Sequence, residues 1–252
     1  MRFGILLLCF AALTGSVKAQ ISAPDTLKTA KGNLVIQPVE HASLVLSIGG
    51  TVIYADPAGK TGLFKGLPAP DIILITDIHG DHFDSAAIGS LKTSNTRLIV
   101  PQAVADKLPA SYKPQVTVLK NFGVTTQNGI TINAIPMYNL PETPDSKHPK
   151  GRGNGYIVSA GGTRIYISGD TQGIPEMRSL RNINVAFVCM NLPYTMDVAE
   201  AADAVLAFKP RIVYPYHYRG AKGLSDVNAF KGKVNAGNKN IEVRLRNWYP
   251  QR

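Results

Sequence analysis

Cysteine is nearly absent from this chain of 252 residues, which has only Cys9 and Cys189. Cys9 falls in an N-terminal segment that reads as a removable leader, so no internal disulfide is expected and stability must come from packing and any bound metal. Cys189 sits in the apolar stretch Val185–Met190 and reads as a buried, inert thiol. Charge is also scarce: 17% of residues are charged against 44% hydrophobic, a balance that excludes disorder and allows one full core. Acidic residues are outnumbered 17 to 27, giving a formal charge of +10, or +8 once Arg2 and Lys18 leave with the leader. The basic residues are scattered and form no stripe interleaved with aromatics, so no nucleic acid partner is expected. Attraction of anionic substrates or membrane surfaces stays open. No apolar run approaches the roughly 20 residues needed to span a bilayer. The most apolar run, Ile5 to Leu13, follows Arg2 and precedes Ser16-Val17-Lys18-Ala19, the layout of a secretory signal cleaved after Ala19. Leu8 is not the small residue expected before a lipid-modified cysteine. Residues 1–19 are therefore expected to be a signal peptide, 20–252 a single domain, and the protein exported to the periplasm or secreted. Oligomeric state is not readable.

Residues 43–54 and 155–166 resemble each other at an offset of 112, with six of twelve positions identical. Each is a pair of β-prone runs joined by Gly-Gly, the mark of a tight hairpin whose turn needs positive φ, and each leads into an aspartate, Asp56 or Asp170. Two similar halves are the economical interpretation, with chance similarity as the alternative. Further strands are predicted at residues 33–37, 71–75, 97–100, 130–135, 184–189 and 211–214. Helices are predicted at 85–91, 103–108, 174–180, 197–208 and 225–234. Asp197 and Glu200 have capping-box spacing, and Ser225 is the expected N-cap of the last helix. The interleaving gives an α/β layout of two sheets packed face to face with helices outside. Residues 136–155, rich in proline and glycine, form a long loop of the kind that is usually functional.

After the apolar run at 71–76 comes Asp77-Ile78-His79-Gly80-Asp81-His82, four potential metal ligands in six positions of a protein with five histidines. Along extended backbone residues 77, 79 and 81 project to one side, and a turn at Gly80 can bring His82 beside them. Imidazoles and carboxylates together suit zinc, with iron or manganese as alternatives.

The segment resembles the His-x-His-x-Asp-His motif of the metallo-β-lactamase superfamily, with aspartate in place of the first histidine. The resemblance continues through His41-Ala-Ser-Leu, Asp56-Pro57, Ile167-Ser168-Gly169-Asp170-Thr171 and Pro215-Tyr216-His217-Tyr218. It is similar to the branch holding the ascorbate-phosphate lactonases and the phospholipase D enzymes that act on N-acyl phosphatidylethanolamine. That resemblance implies a four-layer αββα sandwich with two divalent ions at one edge. It places Asp77, His79 and His148 at one ion, Asp81, His82 and His217 at the other, and Asp170 between them. His148 lies in the long loop, and an exposed loop histidine is the alternative there. Asp77 adds hard-donor character that could weaken zinc or leave its site empty, so a single-metal enzyme stays open. His41 is expected near the site or as a structural histidine, and Asp56 as the group that orients a metal-bound histidine. Asn191, Tyr194, Thr195, Tyr216 and Tyr218 are candidates to line the pocket.

The implied chemistry is hydrolysis by hydroxide formed from water on the ions, with Asp81 also orienting the nucleophile or passing a proton. An ester, lactone or phosphodiester of a small or lipid-like molecule is the expected substrate, with Lys147, Lys150 and Arg152 available for an anionic group. A non-catalytic metal- or ligand-binding envelope protein and a metal-dependent oxidoreductase remain the alternatives.

Overall fold

The computed structural model describes residues 21–143 and 145–249; the expected signal peptide at 1–19 lies outside them. Seven strands make the first sheet in chain order: β1 (Asp25–Thr29), β2 (Gly32–Glu40), β3 (Ser43–Ile48), β4 (Thr51–Ala55), β5 (Ile72–Leu74), β6 (Arg97–Val100) and β7 (Val116–Val118). Its first four strands are antiparallel and the rest parallel. The second sheet repeats the plan with β8 (Val124–Gln127), β9 (Ile130–Met137), β10 (Gly153–Ala160), β11 (Thr163–Ile167), β12 (Val185–Cys189) and β13 (Ile212–Tyr216). A two-residue hairpin, β14 (Arg219–Gly220) with β15 (Gly223–Leu224), stands apart, and β16 (Glu242–Val243) closes the second sheet beside β13. The two similar sequence segments become β3–β4 and β10–β11, the third and fourth strands of their sheets.

Alternation of side chains sorts the strands into two faces. Leu34, Ile36, Leu44, Leu46, Ile53, Ile72 and Leu74 join Ile132, Ala134, Tyr156 and Val158 of the second sheet in one core between the sheets. The opposite side chains, among them Val45, Tyr54, Ile73, Leu98 and Val100, form a second core with Ile88 and Val104 from helices α1 (Ser85–Leu91) and α2 (Gln102–Ala105). Against the second sheet lie α3 (Pro175–Arg178), α4 (Val198–Phe208) and α5 (Val227–Gly237). This is the α/β sandwich, with helices flanking both sheets.

Local chemistry sets the helix ends. Asp197 caps α4 by accepting from the Glu200 amide at 2.7 Å, but the Glu200 carboxylate accepts from the Gly173 amide instead of closing a capping box. Ser225 is not the cap of α5: its hydroxyl donates to the Met190 carbonyl at 2.6 Å, and Asp226 accepts from the amides of Asn228 and Ala229. A carboxylate satisfies two of the orphan amides that one hydroxyl would serve less well. The long loop is shorter than expected, because β9 runs on to Met137 and β10 starts at Gly153. Cys189 is buried, its thiol facing the Thr171 carbonyl, and burial pushes it up to about 11. Among the described residues no helix is long and apolar enough to cross a membrane.

Candidate metal centre

Parallel strands leave the C-terminal ends of several strands on one edge of the sandwich, where open α/β sheets gather functional groups. Asp56 follows β4, the 77–82 turn follows β5, Asp170 follows β11, Asn191 follows β12 and His217 follows β13. His41 leaves β2 on the same edge and His148 comes from the loop before β10. All five histidines of the chain are thus at this edge. Several hinge residues hold left-handed backbone: His41 (φ 57°), Asp56 (φ 44°) and His217 (φ 47°), a conformation rare outside glycine and typical of functional sites. Gly169 (φ 61°) has no alternative, since a Cβ there would come within 2.6 Å of Met137 Sδ.

Three side chains, His82, Asp170 and His217, meet near the spacing a tetrahedral ion requires, and Asp81 stands beside them, its Oδ1 3.9 Å from His82 Nε2. Bonds of about 2.0–2.1 Å put neighbouring donors about 3.3 Å apart. The His82 and His217 Nε2 atoms are 3.2 Å apart; His82 faces Asp170 Oδ2 at 3.4 Å and His217 faces Asp170 Oδ1 at 3.1 Å. Asp81 Oδ2 lies 3.4 Å from His217 Nε2. Asp170 Oδ1 is buried without a hydrogen bond, which leaves its lone pairs open for an ion. Asp56 orients His82: its carboxylate takes the Nδ1 proton at 2.8 Å and is itself held by the Thr76 amide and hydroxyl at 2.7 and 2.6 Å. In the neutral ring an ion would need, this bond leaves the Nε2 lone pair facing the centre.

The other expected ligand group is arranged differently. Asp77, His79 and His148 bring donor atoms within 4.8 Å of one another. Yet the Asp77 carboxylate already accepts from Arg152 Nε at 3.0 Å and Nη2 at 2.8 Å, and pairs with His79 Nδ1 at 2.9 Å. Burial would raise its pKa, but the bonds from His79 and Arg152 hold it down to about 2. His148 is buried, its Nδ1 proton on Asn139 Oδ1 at 3.1 Å and its Nε2 without a hydrogen bond.

His41 is part of the site. Its Nε2–H donates to Asp81 Oδ2 at 3.1 Å and its Nδ1 accepts from the Tyr249 hydroxyl at 2.8 Å, which in turn accepts from the Arg219 amide. Burial lowers the pKa of His41 against the pull of Asp81, so the ring is neutral at neutral pH and this relay is consistent. Asn191 and Tyr194 line a cavity of ≈ 320 Å³ with His79, Asp81, Lys147 and His148. Thr195 fixes the Asn191 side chain. Tyr216 and Tyr218 are corrections: the first is buried and accepts from the Gly169 amide, and the second packs on Tyr249 and hydrogen-bonds the Arg246 carbonyl. Tyr249 and Arg219 were not singled out from sequence because no motif surrounds them. The three loop cations also separate: Arg152 is on Asp77, Lys150 is on Glu142 and Glu176, and Lys147 is the one lining the cavity.

The fold and the His/Asp cluster define a metallo-β-lactamase-type protein, and residues 35–217 match the family model described as "Beta-lactamase superfamily domain". The chain belongs to that superfamily and, within it, to a family of metal-dependent hydrolases. It is 35% identical over 206 residues to a UPF0173 metal-dependent hydrolase of Pyrococcus abyssi, covering 77% of this chain and 89% of the relative. A candidate metal-dependent hydrolase of Parabacteroides distasonis superposes with TM-score 0.77 at 38% identity, covering 89% of this chain and 98% of that one. The metallo hydrolase Igni18 of Ignicoccus hospitalis shares the fold, with TM-score 0.71 at 22% identity over 84% and 94% of the two chains.

The charges around the buried imidazoles favour their protonated forms. Burial would lower the pKa of His82, but Asp170 and Asp56 hold it well above 6.5; His217 is raised by Asp170 against its own burial. Burial would raise Asp170, yet His217 and His82 hold it well below the carboxylate range. An ion must displace the imidazole protons, so affinity should climb as pH rises through and above 6.5. The metal-free fold should lose the imidazolium contribution over that same range. Adding Zn²⁺ at pH 7 in weak buffer should release at least one proton per ion, measured by pH-stat titration. Binding without proton release would contradict this assignment.

Proposed function

We propose that this protein is an exported hydrolase that cleaves an ester, lactone or phosphodiester bond of a small or lipid-like, anionic molecule. The observation that carries the reading is the close grouping of His82, Asp170 and His217, with Asp81 beside His217, at the open edge of the fold. Two imidazoles with two carboxylates suit zinc first, with manganese or iron as alternatives. The implied binuclear arrangement would use Asp77, His79 and His148 for a second ion. When bound, such a divalent ion polarises a carbonyl or phosphoryl oxygen and makes water acidic enough to act as a nucleophile near neutral pH.

The chain's own groups divide the remaining work. Asp81 is half exposed to the cavity and held ionised by His217 and His41 against its burial, so its Oδ1 can accept a hydrogen bond that orients the nucleophile while His41 fixes Oδ2. His41, backed by Tyr249, keeps that carboxylate from rotating. Asn191 and Tyr194 offer donors to a substrate oxygen, and Lys147 offers a positive charge to an anionic group. Leu192 and Leu224, 48% and 55% exposed, line a neighbouring groove and support an apolar substituent on the substrate. Residues 1–19 support export through their signal-like pattern.

The test is turnover by the zinc-loaded protein of chromogenic phosphodiesters, lactones and esters, with Asp81→Ala beside it. One class should be hydrolysed, and the variant should be slower by about 10²-fold or more, the usual contribution of a positioned acid–base group. Bound zinc with no turnover of any class would favour a binding protein.

A further inference from the structure

We propose that the Arg152 guanidinium fills the first ligand group in place of an ion, so that the centre takes one metal, at His82, Asp170 and His217 with Asp81 beside them. This rests on the hydrolase reading above for that single ion.

The placement of Arg152 is dictated by backbone. The Asn154 amide donates to the Thr76 carbonyl at 2.9 Å, and Gly153 lies so close that a Cβ would meet that carbonyl oxygen at 2.7 Å. The start of β10 is thereby pressed against the end of β5, and residue 152 arrives beside residue 77. From there the planar fork of Arg152 engages both Asp77 oxygens, while its Nη2 also donates to the Lys147 carbonyl at 2.6 Å and lies 3.4 Å from His79 Nε2. Bidentate pairing of this kind is geometrically specific and stronger than a neutral hydrogen bond.

Each residue expected to hold the first ion is then accounted for. Asp77, fully buried, receives the fork and the His79 Nδ1 proton. His79 is left with Nε2, which faces a cation. His148 alone keeps an open Nε2, 3.2 Å from Asp170 Oδ2. A guanidinium stays charged at any working pH, so a dication placed in this group would meet fixed repulsion with a single unobstructed imidazole to hold it. The aspartate that replaces the motif's first histidine is therefore matched by an arginine 75 positions later, and the two together are electrically neutral.

The test is zinc stoichiometry, read by elemental analysis and by calorimetric titration with Zn²⁺ alone. The wild type should bind one ion, lost in His217→Ala and kept in Asp77→Asn. Arg152→Met, which frees Asp77 and removes the cation, should raise the stoichiometry from about one to about two. If Arg152→Met does not fold, the double variant Asp77→His/Arg152→Met, which restores an imidazole to the vacated place, serves the same purpose. Two ions on the wild type would overturn the proposal and leave the hydrolase reading intact. A folded Arg152 variant that still binds one ion would also overturn it. No ion on the wild type would remove the hydrolase reading and this proposal together.

Discussion

Asp170→Ala should lower zinc affinity by more than about 100-fold, beyond the 10- to 100-fold typical of groups that merely orient a ligand. Among the described residues Asp170 is the one carboxylate within 3.4 Å of three imidazoles, His82, His148 and His217, and it is almost fully buried. Its removal takes away a donor and also the negative charge that holds those rings around a cation. Turnover should fall with the ion, and added zinc should not restore it fully. The metal-free variant should also be less stable, because removing one partner of a buried charge cluster typically costs about 3–5 kcal/mol. Calorimetric titration and melting curves with and without zinc would measure both effects. An Asp170→Ala protein with unchanged zinc affinity would rule out the centre as described.

The second large effect is expected outside the ligand set, in Trp248→Ala. Trp248, the only tryptophan, is completely buried against Phe187 and Tyr216. Replacing such a ring with a methyl group costs about 3–5 kcal/mol. At about 2–4 °C per kcal/mol for a domain of this size, the melting temperature should drop by roughly 10 °C. Catalysis should suffer too, because the same segment anchors His41: the Trp248 carbonyl accepts from the His41 amide, and the next residue, Tyr249, holds the His41 ring. Trp248→Phe should recover most of the stability. A melting temperature within a degree or two of the wild type for Trp248→Ala would show that the C-terminal segment contributes little.

What could be read from sequence follows how local the signal is. The Gly-Gly hairpins were legible because that pair suits a tight turn, and helix 197–208 was legible because Asp197 stands at the N-cap position, where its carboxylate accepts from the Glu200 amide. The edge strands β1, β7 and β8 were missed, since DTLKT, VTV and VTTQ are half exposed and carry few apolar side chains. Strand β1 is held instead by a contact across the fold, Asp25 accepting from Tyr214 and from Arg244, residues about two hundred positions away. In the site, the density of ligand types in 77–82 was visible at once. The partners of those ligands were not, because pairing lives in three dimensions: Arg152 reads as a loop cation until β10 docks beside β5, and Tyr249 reads as tail until it meets His41. Tyr218 was misassigned for the same reason, because the left-handed backbone at His217 redirects the chain right after the histidine.

The candidate donors come from both sheets, Asp81 and His82 from the first and Asp170 and His217 from the second. An ion held there would be a clasp between two layers rather than a guest of either. Neither layer by itself carries a full coordination shell. The reactivity belongs to the join.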